Sequence, residues 1–141
     1  MKRKIMAVTL TAAMLAGLAA VPVWADDAGS DEGKVLNIYC WNEEFKSRLT
    51  DHYPGYEEVD GTHGKIGDVD VVWNITPSDD NAYQNNLDET LLKQADASAD
   101  DKIDLFLVEA DYALKYVNTD YTMPVADLGI TEDEVADQYQ Y

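Results

Sequence analysis

Cysteine, histidine and basic side chains are all scarce in this chain, and each scarcity removes a class of chemistry. A single cysteine, Cys40, leaves no internal disulfide framework and no cysteine-based metal cluster. Its expected place is inside a strand, as a small buried apolar group. His52 and His63 are the only histidines, and neither has a third partner at ligand spacing, so no zinc site is expected. Asp68, Asp70, Asp79 and Asp80 lack the patterned oxygen set and turn glycine of a calcium loop. No Gly-x-Ser-x-Gly elbow, phosphate loop or Rossmann glycine pattern is present. No metal and no cofactor is therefore expected. Ten basic residues stand against 28 acidic ones, a net charge of −18. Nucleic acid is excluded as a partner, because a polyanion is repelled and no basic stripe exists to hold it.

What the first 25 residues do contain is the layout of an export signal. Lys2, Arg3 and Lys4 precede an apolar run from Ile5 to Val23, which ends at Val23-Trp24-Ala25 with small residues at the first and third positions before Asp26. An uncleaved anchor is the alternative, although a membrane-spanning helix needs about 20 strongly apolar residues. Leu15-Ala16-Gly17 opens like a lipoprotein box, but Leu18 stands where the lipidated cysteine would be, so no lipobox is read. The expected destination is outside the cytoplasmic membrane: extracellular, at the cell surface or periplasmic. Removing Lys2, Arg3 and Lys4 from the ten basic residues leaves seven against 28, a net charge of −21 after Ala25.

Residues 26–33 are acidic and contain glycine, which reads as a flexible leader. Beyond them the punctuation predicts alternating strands and helices in one α/β domain, residues 34–141. Val35 to Trp41 is a strand by its β-branched and aromatic content. Asn42 caps a helix whose stripe is Phe45, Leu49 and Tyr53, and Pro54-Gly55 stops it. Tyr56 to Gly67 is polar, holds three glycines and reads as loop. Val69 to Ile75 is the second strand. A second helix follows with Tyr83, Leu87, Leu91 and Ala95 on one face. Asp96 to Asp101 reads as a solvated exit, Ile103 to Val108 as a strand buried on both faces, and Ala110 to Val117 as a short helix. Ile130-Thr131 with Glu134-Val135 has the form of a capping box and staple, so a helix is expected to start there. A helix of about ten residues with no partner beyond it marks an incomplete domain.

Strand, helix, strand, helix, strand implies a mostly parallel sheet flanked by helices. In such sheets ligands sit at the carboxyl ends of the strands. Those ends carry Trp41, Asn42, Glu43 and Glu44, then Asn81 and Tyr83, then Glu109, Asp111 and Tyr112. Flat aromatic rings beside amides and carboxylates suit a sugar, whose apolar ring face stacks while its hydroxyls pair with groups that take two bonds. Tyr83 also lies on the helix stripe and so has a competing place in the core.

Val35-Leu36-Asn37-Ile38-Tyr39-Cys40-Trp41-Asn42-Glu43-Glu44-Phe45, Asp104 to Ala113, and Met123 to Leu128 together resemble the N-terminal lobe of bacterial extracellular solute-binding proteins of carbohydrate ABC transporters. The likeness spans about residues 35 to 141. It implies a partial lobe of the two-lobe, type II periplasmic-binding-protein fold, monomeric, which captures a sugar without catalysis and hands it to membrane permease subunits. Three other readings remain open: a secreted carbohydrate-active enzyme using Glu43 and Glu109, a binding protein for a polyamine, and an adhesion or scaffold domain.

Overall fold

The computed structural model describes residues 33–117 and 119–138. The expected signal, and the leader apart from Gly33, lie outside the described residues. The sequence Val35–Cys40 forms β1, followed by α1 at Glu44–His52. Next come β2 at Tyr56–Glu58, β3 at His63–Ile66 and β4 at Val69–Ile75. Helix α2 covers Ala82–Leu91, and β5 is only Leu105–Phe106. The strands form one five-stranded sheet in the order β2-β3-β4-β1-β5.

This is an α/β architecture, but the sheet is mixed rather than mostly parallel. β1 runs parallel to both β4 and β5, whereas β2–β3 and β3–β4 are antiparallel. The correction comes from Tyr56 to Gly67, expected as loop, which folds into a hairpin against β4. Its polarity hid a period of two: Gly64 and Ile66 face inward while His63 and Lys65 are exposed. Gly64 is required by close approach, since a Cβ there would stand 2.3 Å from the Tyr56 hydroxyl. Gly67, at φ +59°, makes the turn into β4.

Alternation along β1 divides the core between the two faces of the sheet. Ile38 and Cys40 are buried with Val71 and Trp73, and Phe45 and Leu49 of α1 pack against them. On the other face Tyr39, Trp41 and Phe106 pack against Tyr83, Leu87, Leu91, Ile103 and Tyr116. The four-residue spacing of Tyr83, Leu87 and Leu91 thus places one stripe of α2 on the sheet. Ala95 falls beyond the helix, in an exposed 3-10 turn at Gln94–Asp96. Cys40 is free and fully buried, and burial raises its thiol pKa.

The strand expected over Ile103 to Val108 shrinks because its neighbours bond elsewhere. Gln94 holds Ile103 like a strand partner: its Nε2 donates to the Ile103 carbonyl (2.8 Å) and its Oε1 accepts from the Ile103 N–H (2.9 Å). The Asp104 carboxylate accepts from the Asn37 N–H at 2.8 Å. β5 is an edge strand with Leu105 38% exposed, so burial on both faces does not hold. The acidic exit is structural rather than merely solvated, because Asp100 Oδ1 accepts from the N–H groups of Lys34 and Val35 at the start of β1.

Two further expectations of helix are corrected to single 3-10 turns, at Ala113–Lys115 and Asp133–Val135. Half of the capping box forms: Glu134 Oε2 accepts from both the N–H and the hydroxyl of Thr131, each at 2.8 Å. The helix does not propagate, since residues 120–134 are exposed throughout and offer no buried face to repay chain ordering.

Candidate functional site

The chain leaves β1 for β4 on one side and then crosses to β5 on the other, so the order of the parallel strands reverses at β1. That reversal marks the carboxyl end of β1 as the place where loops part and a cleft opens. A cleft of about 210 Å³ lies there, lined by Trp41, Asn42, Glu44, Phe45, Arg48 and Leu107. Three of the sequence-predicted residues, Trp41, Asn42 and Glu44, are therefore brought together.

Local structure accounts for each of them. Trp41 extends the α2-side alternation of β1 and meets Tyr83 edge-to-face, with centroids 5.5 Å apart at 74°. It is half-buried, anchored by one edge and still part of the cleft wall. Asn42 was expected to cap α1. The N-cap position falls instead on Glu43, whose side chain makes no capping bond, while Asn42 Oδ1 accepts from the Glu44 N–H at 2.9 Å. This bond keeps the Asn42 carboxamide beside the strand end. Glu44 pairs with Arg48 one turn on, Oε1 to Nη2 at 3.3 Å.

Glu43 is not in this group. Successive helical residues point about 100° apart, and Glu43 lines a separate recess of about 170 Å³ with Lys46, Ser47, Thr50, Asp51 and Glu58. Tyr83 leaves the candidate ligand set: it is 1% exposed, and its hydroxyl donates to the Leu107 carbonyl at 2.7 Å with the Tyr39 carbonyl at 3.1 Å. Burial drives its phenol pKa well upward. Its role is to tie the carboxyl ends of β1 and β5 together beneath the cleft.

Asn81, Glu109, Asp111 and Tyr112 line neither recess. Asn81 is exposed at the start of α2, where it and Asp80 hold left-handed backbone at φ 62° and 50°. Glu109 and Asp111 are exposed in the turn after β5. Tyr112 is half-buried against Tyr116, centroids 6.4 Å apart, and burial raises its pKa. One buried donor remains at the carboxyl end of β4: Asn74 Nδ2 has no partner among the described residues, while nearby Asn86 donates to Thr76 Oγ1 at 3.1 Å.

Sequence reasoning missed Phe45, Arg48 and Leu107 as cleft residues. Phe45 had been assigned wholly to the helix stripe, and it does meet Trp73 edge-to-face at 6.0 Å. The signal for Arg48 was its place four residues after Glu44. Among the described residues no group of three or more histidine, cysteine, aspartate or glutamate side chains is placed to hold a metal ion. Chemically, the cleft offers two aromatic rings, an amide, one carboxylate and one guanidinium, a set that orients a ligand through hydrogen bonds and apolar contact. Compared with protein-family models, curated proteins and solved structures, the chain matches none.

Proposed function

We propose that this chain is the N-terminal lobe of an extracellular solute-binding protein of the two-lobe, type II periplasmic kind, which captures a sugar or oligosaccharide for a membrane permease and does not transform it. The observation that carries the reading is the cleft at the strand-order reversal, where Trp41, Asn42, Glu44 and Phe45 converge over the carboxyl end of β1. A sugar ring laid against the indole and phenyl rings keeps its hydroxyls within reach of the amide and carboxylate. The export layout of residues 1–25 and the acidity of the chain fit work outside the cell.

Calorimetry and thermal shift on the full chain, with mono- and oligosaccharides and with amino acids and polyamines as controls, test this. A saturable shift with one sugar class is expected, since a ligand at a hundred times its Kd stabilises the folded state by about 2.7 kcal/mol. Trp41→Ala should weaken it, with the sugar recovered unchanged. Response to a polyamine alone replaces the solute class, and consumption of the sugar overturns the reading in favour of an enzyme.

A further inference from the structure

Leu107 forms part of the cleft wall, yet it lies beyond the regular end of β5. The ladder joining β5 to β1 pairs only Ile38 with Leu105 and Tyr39 with Phe106. Past that point the two polar groups of the Leu107 backbone are held one by one. Its N–H donates to the Tyr39 carbonyl at 3.0 Å, and its carbonyl accepts from the Tyr83 hydroxyl at 2.7 Å. The ring of the same Tyr83 meets Trp41 edge-to-face, centroids 5.5 Å apart. One side chain, 1% exposed and outside the cleft lining, thus touches two of the residues that line it.

We infer that Tyr83 is a positioning residue of the cleft, its hydroxyl fixing Leu107 and its ring fixing Trp41, so that ligand affinity is set from beneath the site; this rests on the sugar-binding function proposed above. Groups that hold a ligand must be kept within about 0.5 Å of their working geometry, which the packing and hydrogen bonds behind them supply. β5 is too short to do this for Leu107 by strand pairing, and the phenol takes over where the ladder stops. Without that donor the Leu107 carbonyl loses its side-chain partner and the chain leaving β5 is freer to shift. The α2 stripe asks only for an apolar side chain at this position, which phenylalanine supplies equally well. What tyrosine adds is the hydroxyl that reaches both strand ends.

Calorimetry of the full chain with mono- and oligosaccharides separates this role from plain stability when Tyr83→Phe is set beside Tyr116→Phe. Tyr116 is similarly buried, at 3% exposure, and its hydroxyl also donates, to Asp88 Oδ1 at 2.8 Å, but it lines no part of the cleft. Both variants should melt about 4 °C below the parent, each having lost one hydrogen bond in the core. Well below those temperatures, Tyr83→Phe should bind sugar about tenfold more weakly, and Tyr116→Phe within about twofold of the parent. In a Leu107→Ala background Tyr83→Phe should add less than about twofold, because the wall it places is gone. Tyr83→Phe binding within about twofold of the parent, equal weakening by both variants, or full additivity with Leu107→Ala overturns the positioning role and leaves the sugar-binding function standing. Absence of binding to any sugar by the parent overturns the function and the role together.

Discussion

Across one sheet the means of cohesion change between the parallel strands β4-β1-β5 and the antiparallel hairpin β2–β3. The parallel strands are sandwiched between α1 and α2 by two apolar clusters, with Ile38, Cys40, Val71, Leu87 and Tyr83 almost wholly buried. The hairpin is fastened mainly by polar groups and one close backbone approach. Lys46, itself buried, reaches from α1 to donate to Glu58 (3.0 Å) and to the Gly61 carbonyl (2.7 Å). The Trp73 indole N–H donates to the Tyr56 hydroxyl at 3.0 Å, over the space that Gly64 leaves open. In the turn, Asp60 Oδ1 accepts from the N–H groups of Thr62 and His63 at 2.8 and 2.9 Å. Apolar burial adds over many atoms and tolerates local change, while single polar bonds and close approaches are specific and local. The same sheet thus has a cooperative half and a clipped half.

Leu87→Ala should produce the largest effect, a loss of about 2–5 kcal/mol from removing a fully buried side chain and leaving a cavity behind. Denaturant unfolding should show it as a shift of the whole transition. A loss below about 1 kcal/mol would mean that the α2 face is looser than its burial implies.

Gly64→Ala should cost less, about 1–3 kcal/mol, because the new methyl must displace the Tyr56 ring and its bond from Trp73. Amide exchange should rise in β2 and β3 first and leave β1 protected. Uniform loss of protection would erase the distinction between the two halves.

Acid should act most gently and most locally. The Thr62 N–H, together with the His63 ring, holds the Asp60 carboxyl down at about 2 from an ordinary 3.8. A depressed folded-state pKa means that the folded chain binds fewer protons than the unfolded one, so stability rises with pH. The Asp60 contribution is complete above about pH 4 and fades as pH falls toward 2. Exchange at Thr62 and His63 should quicken over that window, and Asp60→Ala should remove the pH dependence. Persistence in the variant would assign it to another carboxylate.

Legibility followed the same division. β1, α1, β4 and α2 were readable because runs such as Val69–Ile75, and spacings such as Tyr83-Leu87-Leu91, carry a period set by local geometry. The hairpin was not, because Tyr56-Glu57-Glu58 and His63-Gly64-Lys65-Ile66 are too short and polar to show alternation above noise. Within the cleft, Trp41, Asn42 and Glu44 followed from the strand-end rule. The separation of Glu43 from Glu44 depends on where α1 starts, a matter of one residue.

The sequence by itself determined the α/β alternation, the acidity, and the exclusion of disulfide and cysteine-metal chemistry. Those properties reside in composition and in patterns of a few residues. Only the tertiary structure decided that the sheet is mixed, that β5 is a two-residue edge, that the Tyr83 hydroxyl is bound between β1 and β5, and that Arg48 enters the cleft. Each depends on groups distant along the chain, such as Gln94 on Ile103 or Tyr83 on Leu107. Such contacts exist only once burial has brought their partners together.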